Sequence, residues 1–503
     1  MVQDAGVSQH FIDAGKSEKV LESMCKDSAT TVATSELLTM QGQDIGKVSG
    51  IKPVFCRPKG NSWASCQCLM HITGTDPRYP KPKLGPNAPY WTNLLGASRS
   101  ETHGGIINVD SVGNVYMTGS TSGALLEEYK QIGSRAMFLV KYDHTGKKLW
   151  VSQLGAEGGN VAGHAIGFDK ESNVYVAGLS EGEIDGIKSE NRENIFLVKY
   201  DKDGKKIWTR LMQGERYRSS FVNVALDPQN NVIVTGSSRS GLELKKAIRT
   251  ERNAVVFKYN QDGKEIWRNT VSASESVTVA KGVYTDAKGF VYIAGSAHDA
   301  VEGNPANNKM TGIRDAFVAK FDPAGKLVWA RQTGAADAYT DGFRSTVDTF
   351  GNVFLLGTTT GQIEGNKQTG SSDVVLVKFD ASGKQLWARQ YGVDTQAFIM
   401  GGAIAADSKG SVYVTGATTQ AIADYEKVGR VDIYTIKFDA GGKQVWAVQK
   451  GFPEGESQGQ GLFIDKNDNI YVTGSTKGPL DGWPISGDSR LEAVLMVNTL
   501  RED

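Results

Sequence analysis

The chain has 503 residues, and Lys plus Arg balances Asp plus Glu at 56 each, so its formal net charge is zero. That balance leaves no overall basic field to offset phosphates and argues against a nucleic-acid partner. The longest apolar runs are strand-sized, as at Met137–Val140, and none approaches the twenty residues of a membrane-spanning helix.

The N-terminus, MVQDAGVSQHFIDAG, lacks a charged region followed by an apolar one, so no signal peptide is visible in this sequence. All four cysteines (Cys25, Cys56, Cys66 and Cys68) fall in the first 68 residues. A thiol-free remainder with a clustered start predicts a disulfide-stapled module, and any of three pairings is open. Cys56, Cys66, Cys68 and His71 also count the ligands of a Cys3His zinc site, but the C-x-C spacing is cramped, and disulfides with no metal are the expectation. Ser17–Lys26 has the periodicity of one short helix, with Val20 and Met24 on one face. Five prolines between Pro77 and Pro89 then predict an extended linker, because proline fixes φ and cannot donate to a ladder. The expected domains are a Cys-containing segment at 1–76, a linker at 77–89 and a repeat domain at 90–503.

Beyond the linker, Trp91, Trp150, Trp208, Trp267, Trp329, Trp387 and Trp446 are spaced by 59, 58, 59, 62, 58 and 59 residues. A constant long period means one supersecondary unit built repeatedly. Each unit holds four strand-like segments. A short apolar run ends in Asp, as IINVD at 106–110; a second segment alternates β-branched and aromatic residues, as GNVYMTG at 113–119. A third reads FLVKYD at 138–143 and a fourth carries the tryptophan, with a glycine turn between them. Four antiparallel strands per unit, seven times, predict an all-β, seven-bladed propeller. The last unit lacks its fourth strand, while APYWTNLLG at 88–96 matches WVSQLG at 150–155. The N-terminal strand, over 90–96, is therefore expected to close the ring and leave no long unpaired edge.

The recurring pattern GNVYVTG…FLVKYDxxGKxLW resembles the bacterial SBBP-type repeat, a family associated with seven-bladed propellers. The resemblance covers about 88–503. It implies extracytoplasmic proteins, here periplasmic, cell-surface or secreted, mostly without assigned activity, and it carries over no catalytic residue. The turn YDHTGKKLW also resembles the D-x-x-T-G-x-x-x-W repeat of outer-membrane-assembly lipoproteins, although those rings usually have eight blades and shorter repeats.

Asp201, Asp203 and Gly204 imitate the start of a calcium loop, but the remaining ligands are missing and a hairpin turn explains them. The seven repeated tryptophans read as packing between blades. Asp110, Asp169, Asp227, Asp286, Asp348, Asp407 and Asp465 end the first strand in every unit, so they read as structural before catalytic. What varies between blades is more informative. The loops after the second strand and after the Trp strand emerge on one face, and they carry Tyr129, Arg216, Tyr217, Arg218, Asp341, Arg344, Phe398, Met400, Phe452 and Trp483. Aromatic and arginine side chains on loops are typical interface anchors. Trp483 stands out as the one propeller tryptophan off the repeat position. His103, His164 and Lys281 are expected at the mouth of the central channel.

The leading expectation is a non-catalytic scaffold, monomeric and without cofactor, that binds a protein, peptide or glycan through its loop-rich face. Two alternatives stand beside it: an envelope assembly factor, and an enzyme with a polar site around His103, His164, Lys281 and Arg344.

Overall fold

The computed structural model describes residues 51–57, 67–72 and 91–498, apart from 98–99, 111–112, 127–128, 131, 190–192, 213–221, 239–252, 272, 274–276, 305–309, 394–396, 423–424, 465–467, 469, 479 and 481–491. The expected helix at 17–26, the linker at 77–89, Cys25, Cys66, Asp465, Arg216, Tyr217, Arg218 and Trp483 lie outside the described residues. β1 (Ile51–Arg57) and β2 (Gln67–Ile72) pair antiparallel, and their register sets Cys56 opposite Cys68.

β3 (Trp91–Leu95) comes next, followed by repeated antiparallel meanders. β4–β7 occupy Thr102–Val109, Val115–Thr121, Ala136–Tyr142 and Lys148–Leu154. β8–β11 occupy Val161–Phe168, Val174–Ser180, Asn194–Tyr200 and Lys206–Met212. β12–β15 are Asn223–Leu226, Val232–Ser238, Asn253–Tyr259 and Glu265–Val271. β16–β19 are Thr278–Thr285, Val291–Ala297, Asp315–Phe321 and Leu327–Thr333. β20–β23 are Thr340–Val347, Val353–Thr359, Asp373–Phe379 and Gln385–Tyr391. β24–β27 are Ile399–Ala406, Val412–Thr418, Asp432–Phe438 and Gln444–Lys450. β28–β30 are Ser457–Ile464, Ile470–Thr476 and Glu492–Asn498.

Six four-stranded blades are thus contiguous in sequence. One further four-stranded sheet is composite: β28, β29 and β30 take β3 as their outer strand, from Trp91 opposite Val497 to Leu95 opposite Ala493. The result is a β-propeller, with no helix among the described residues. Its core lies between sheets. One cluster joins Ile107, Val115, Met117 and Phe138 of the first contiguous blade to Leu95 and Tyr471 of the composite sheet.

The repeat signature has a direct physical reading. The Asp ending the first strand closes its turn: Asp110 Oδ1 accepts the Asn114 N–H, and Oδ2 accepts from the Asn114 side chain and the Tyr116 hydroxyl. Asp169 and Asp407 likewise accept from Tyr175 and Tyr413. The lysine inside the third strand, an odd residue for a buried position, reaches this carboxylate and also the next blade. Lys199 Nζ lies 3.5 Å from Asp169 and donates to the Gln261 carbonyl at 3.4 Å. Trp208 Nε1 donates to that same carbonyl at 3.3 Å.

Trp267 and Lys258 share Pro323, Trp329 and Lys320 share Ala381, and Trp387 and Lys378 share Ala440. Among the described side chains, the repeat tryptophans do join blades, but mostly as half-buried clamps, and of these Trp329 is the buried one. The turn glycine is required twice over. Gly204 has φ +86, and a Cβ there would sit 2.9 Å from the Trp150 ring. Asp201 caps this same turn by accepting the N–H groups of Asp203 and Lys205, so the calcium-like sequence is a hairpin.

Candidate functional site

In the blades other than that of β12, the first strand starts earlier than its apolar pattern predicts, because it carries a bulge. Register shifts fall between Gly163 and Ala165, Ala280 and Gly282, Gly342 and Arg344, Gly401 and Ala403, and Gly459 and Gly461. A bulge leaves one residue unpaired and re-aims its side chain. The glycine before or opposite it permits the tight crossing: a Cβ on Gly178 would lie 1.9 Å from the Ala162 carbonyl oxygen. The bulged residues are His164, Lys281, Phe343, Gly402 and Gln460, so one structural position in the repeat carries a different chemistry each time.

Between β16 and β20 one of them, Lys281, joins a connected polar cluster. Asp341 Oδ1 accepts from Lys281 Nζ and Ser296 Oγ, both at 2.7 Å, and Oδ2 accepts from Arg314 Nη1 at 2.7 Å. Arg314 Nε donates to His298 Nε2 at 3.0 Å, and its guanidinium lies 5.3 Å over the Tyr339 ring. Lys281 Nζ sits 4.4 Å from the Phe343 ring centre. Burial works to raise the Asp341 pKa, yet the Lys281 charge and hydrogen bond, with Ser296 and Arg314, hold it below the ordinary value. Burial lowers Lys281 and His298.

One step deeper, Arg344 Nη1 donates to Asn223 Oδ1 and, at 3.1 Å, to the Lys281 carbonyl, which also accepts from Asn223 Nδ2 at 2.7 Å. The side chain passes over Gly282, where a Cβ would meet Arg344 Cα at 3.0 Å. Enclosure by protein brings the Arg344 pKa down to about 10, which leaves it charged at neutral pH. His164 is brought down to about 4, first by burial and then by the Arg344 charge, and its Nδ1 has no hydrogen-bond partner among the described residues.

The sign of that shift gives a prediction. A base whose folded pKa is depressed stabilises the fold above its unfolded value of 6.5, and the stability is lost as pH falls toward 4. The span of the shift sets a ceiling of about 3 kcal/mol. Thermal melts at pH 7 and pH 4.5 should show a smaller acid-induced drop in His164→Gln than in the parent. Equal drops would show that His164 does not carry the acid sensitivity.

Of the residues expected at the site, Asp341, Lys281 and Arg344 come together, with His164 in electrostatic reach of Arg344. His103 stands apart on the rim, 3.9 Å from Glu101, which pairs with Arg135 at 2.5 Å. Tyr129 is half-buried on its own blade, where burial raises its phenol. Phe398 is bridged to Ser372. Phe452 is no free anchor: its ring lies over Gly455 and Gly478, where an added Cβ would come within 1.7 Å and 2.2 Å of ring atoms. The sequence reading missed Arg314, His298, Ser296 and Asn223. Asn223 had a visible signal, since it puts a polar side chain in a position filled by small residues in neighbouring blades.

Sheets, clamps and channel together define a β-propeller with four-stranded antiparallel blades. The SBBP β-propeller repeat matches residues 91–127, 149–185, 328–364 and 445–481, so the chain carries SBBP repeats. An uncharacterized WD repeat-containing protein, L264 of Acanthamoeba polyphaga mimivirus, is 22% identical over 441 residues, covering 66% of this chain and 31% of that protein. Regulatory protein FlaEY of Caulobacter vibrioides is 29% identical over 153 residues, covering 28% of this chain and 16% of that protein. The chain therefore matches about a third of one relative and a sixth of the other. Among solved structures, polysaccharide lyase Uly1 aligns at TM-score 0.46 and 14% identity, over 79% of this chain and 90% of that one.

Proposed function

We propose that this chain is a non-catalytic, extracytoplasmic binding propeller of seven blades, with β3 completing the seventh. It would take its partner at the channel mouth on the loop-rich face, in the sector from β16 to β20. The observation that carries this reading is the Asp341 cluster. One carboxylate fixes Lys281, Ser296 and Arg314, and Arg314 lies over Tyr339, which is 44% exposed beside Ile313 at 45%. A rigid guanidinium flanked by exposed aromatic and aliphatic side chains is the composition of an interface anchor.

Catalysis is the weaker reading of the same cluster. A general base needs a free acceptor near its proton, and the Asp341 oxygens already accept three donors. His164, its pKa lowered by burial, has no hydrogen-bonded carboxylate to orient its Nδ1 among the described residues.

The partner that the intact protein captures from native envelope fractions provides the assay. Ile313→Ser with Tyr339→Ala should cut capture at least about tenfold, as expected for anchors, with an unchanged melting temperature. Phe350→Ser, exposed in the turn between β20 and β21, should leave capture intact. Equal capture by all three proteins rejects this sector.

A further inference from the structure

We propose that the central channel beneath Arg344 is a small-molecule site for a monocarboxylate with an apolar body, with the carboxylate on the guanidinium and the body along the channel wall. The inference rests on reading this end of the channel as a binding site, and it names the chemistry of that site.

The innermost strands enclose a cavity of about 810 Å3, within the range of small-ligand pockets. Its wall is mixed: Ile106, Phe168, Leu226, Val283, Phe463 and Ile464 are only partly buried where they line it, interleaved with polar side chains such as Asn108 and Thr285. The partly exposed apolar side chains favour a ligand with an apolar body, because seating it against them removes both surfaces from water.

Arg344 stands at one end and is alone in kind at its ring position. The residues in equivalent register, each following the bulge in its strand, are Ala165, Gly282, Ala403 and Gly461, and Asn223 pairs at the matching level in β12. Placing a guanidinium there costs desolvation unless an anion compensates it. No carboxylate is among its partners in the described residues. Asn223 Oδ1 and the Lys281 carbonyl both engage Nη1. Nε and Nη2, the edge that grips a carboxylate through two parallel N–H bonds, donate to no group among the described residues.

The nearest carboxylate of the mouth cluster, Asp341, is taken by Lys281, Ser296 and Arg314. At the far end of the cavity stand Asp110, Asp169, Asp227 and Asp286, each held in its own turn. That end repels a second negative charge. The channel therefore orients its ligand with one anionic end at Arg344 and an uncharged end toward the aspartates.

The test uses the intact protein and 4-phenylbutanoate, read by calorimetry and by the shift in melting temperature. The acid should bind and stabilise, while 4-phenylbutanol, glucuronate and sulfate should bind at least about tenfold more weakly, because each lacks either the charge or the apolar body. Arg344→Gln should weaken the acid by at least about tenfold, and Arg344→Lys should recover part of the loss. Ala225→Trp fills the channel without touching the guanidinium and should also abolish binding, so the conclusion stands even if Arg344→Gln folds poorly. Equal binding of the acid by Arg344→Gln or Ala225→Trp overturns the proposal, as does an equal response to glucuronate or sulfate. Partner capture at Tyr339 should not change in Ala225→Trp, so the two readings fail separately.

Discussion

A protein lacking Trp91–Leu95 is expected to melt well below the parent and to leave the monomer fraction in size-exclusion chromatography. β3 pairs residue for residue with β30 from Trp91 to Leu95, and it is the outer strand of the composite sheet. Leu95 is 5% exposed and packs with Ile107, Val109 and Phe138 of the next blade. Losing one such leucine costs about 2–5 kcal/mol through transfer and cavity terms, and the whole strand also takes its ladder bonds with it. The strip of β30 left behind is an unpaired edge, which templates pairing with another chain. Leu95→Ala alone separates the two contributions: it should lower stability by about 2–5 kcal/mol while the protein stays monomeric. A deletion variant that melts like the parent as a monomer would show that the ring does not depend on this strand.

The elements that repeat were the ones legible in the sequence. Four segments per unit and the glycine turns could be read because each residue type does one physical job at a constant spacing. The Asp at the end of each first strand was readable as structural for the same reason, and the Tyr116 hydroxyl and Asn114 amide show which job it does. The limits of pattern reading show in the bulges. Sequences such as GGI, GHA and GFR have no strand periodicity, so the apolar pattern places the start of the first strand near Ile106, whereas it begins at Thr102. That missing turn of register hides where His164, Lys281 and Arg344 point. Loop aromatics misled in the opposite direction: Phe452 has the composition of an anchor, but it spends its surface on Gly455 and Gly478, a contact encoded across 26 residues that no local pattern reports. Hydrogen bonds between blades, such as Arg344 to Asn223 across 121 residues, are set by ring geometry alone.

Lys258→Met is expected to be the most damaging single substitution among the repeat lysines, at about 3–5 kcal/mol. Lys258 Nζ lies 2.8 Å from Asp227 with both side chains buried, and it also donates to the Pro323 carbonyl of the next blade at 3.1 Å. Elsewhere a tyrosine hydroxyl shares this role, as where Tyr116 donates to Asp110 while Lys141 stands off at 4.0 Å. In this blade the equivalent of Tyr116 is Ile233, which has no hydroxyl, so the lysine alone supplies the charge-bearing donor alongside Asn231 and Gln229. Lys141→Met should therefore cost less. Burial pushes the Asp227 pKa up, but the donors, Lys258 first, hold it below the ordinary value. A depressed carboxylate stabilises the fold above its unfolded pKa, and that stability is lost as pH falls through the folded one. Without Lys258 the burial contribution is opposed only by the neutral donors, Asn231 first, so less of the pKa depression and of its pH-dependent stability remains. Denaturant melts should thus show the gap between parent and Lys258→Met narrowing from pH 7 to pH 3.5, with Asp227→Asn/Lys258→Met lying closer to the parent than Lys258→Met alone. A gap that stays constant with pH would mean that the lysine acts only through its clamp on Pro323, and the buried pair would carry no charge coupling.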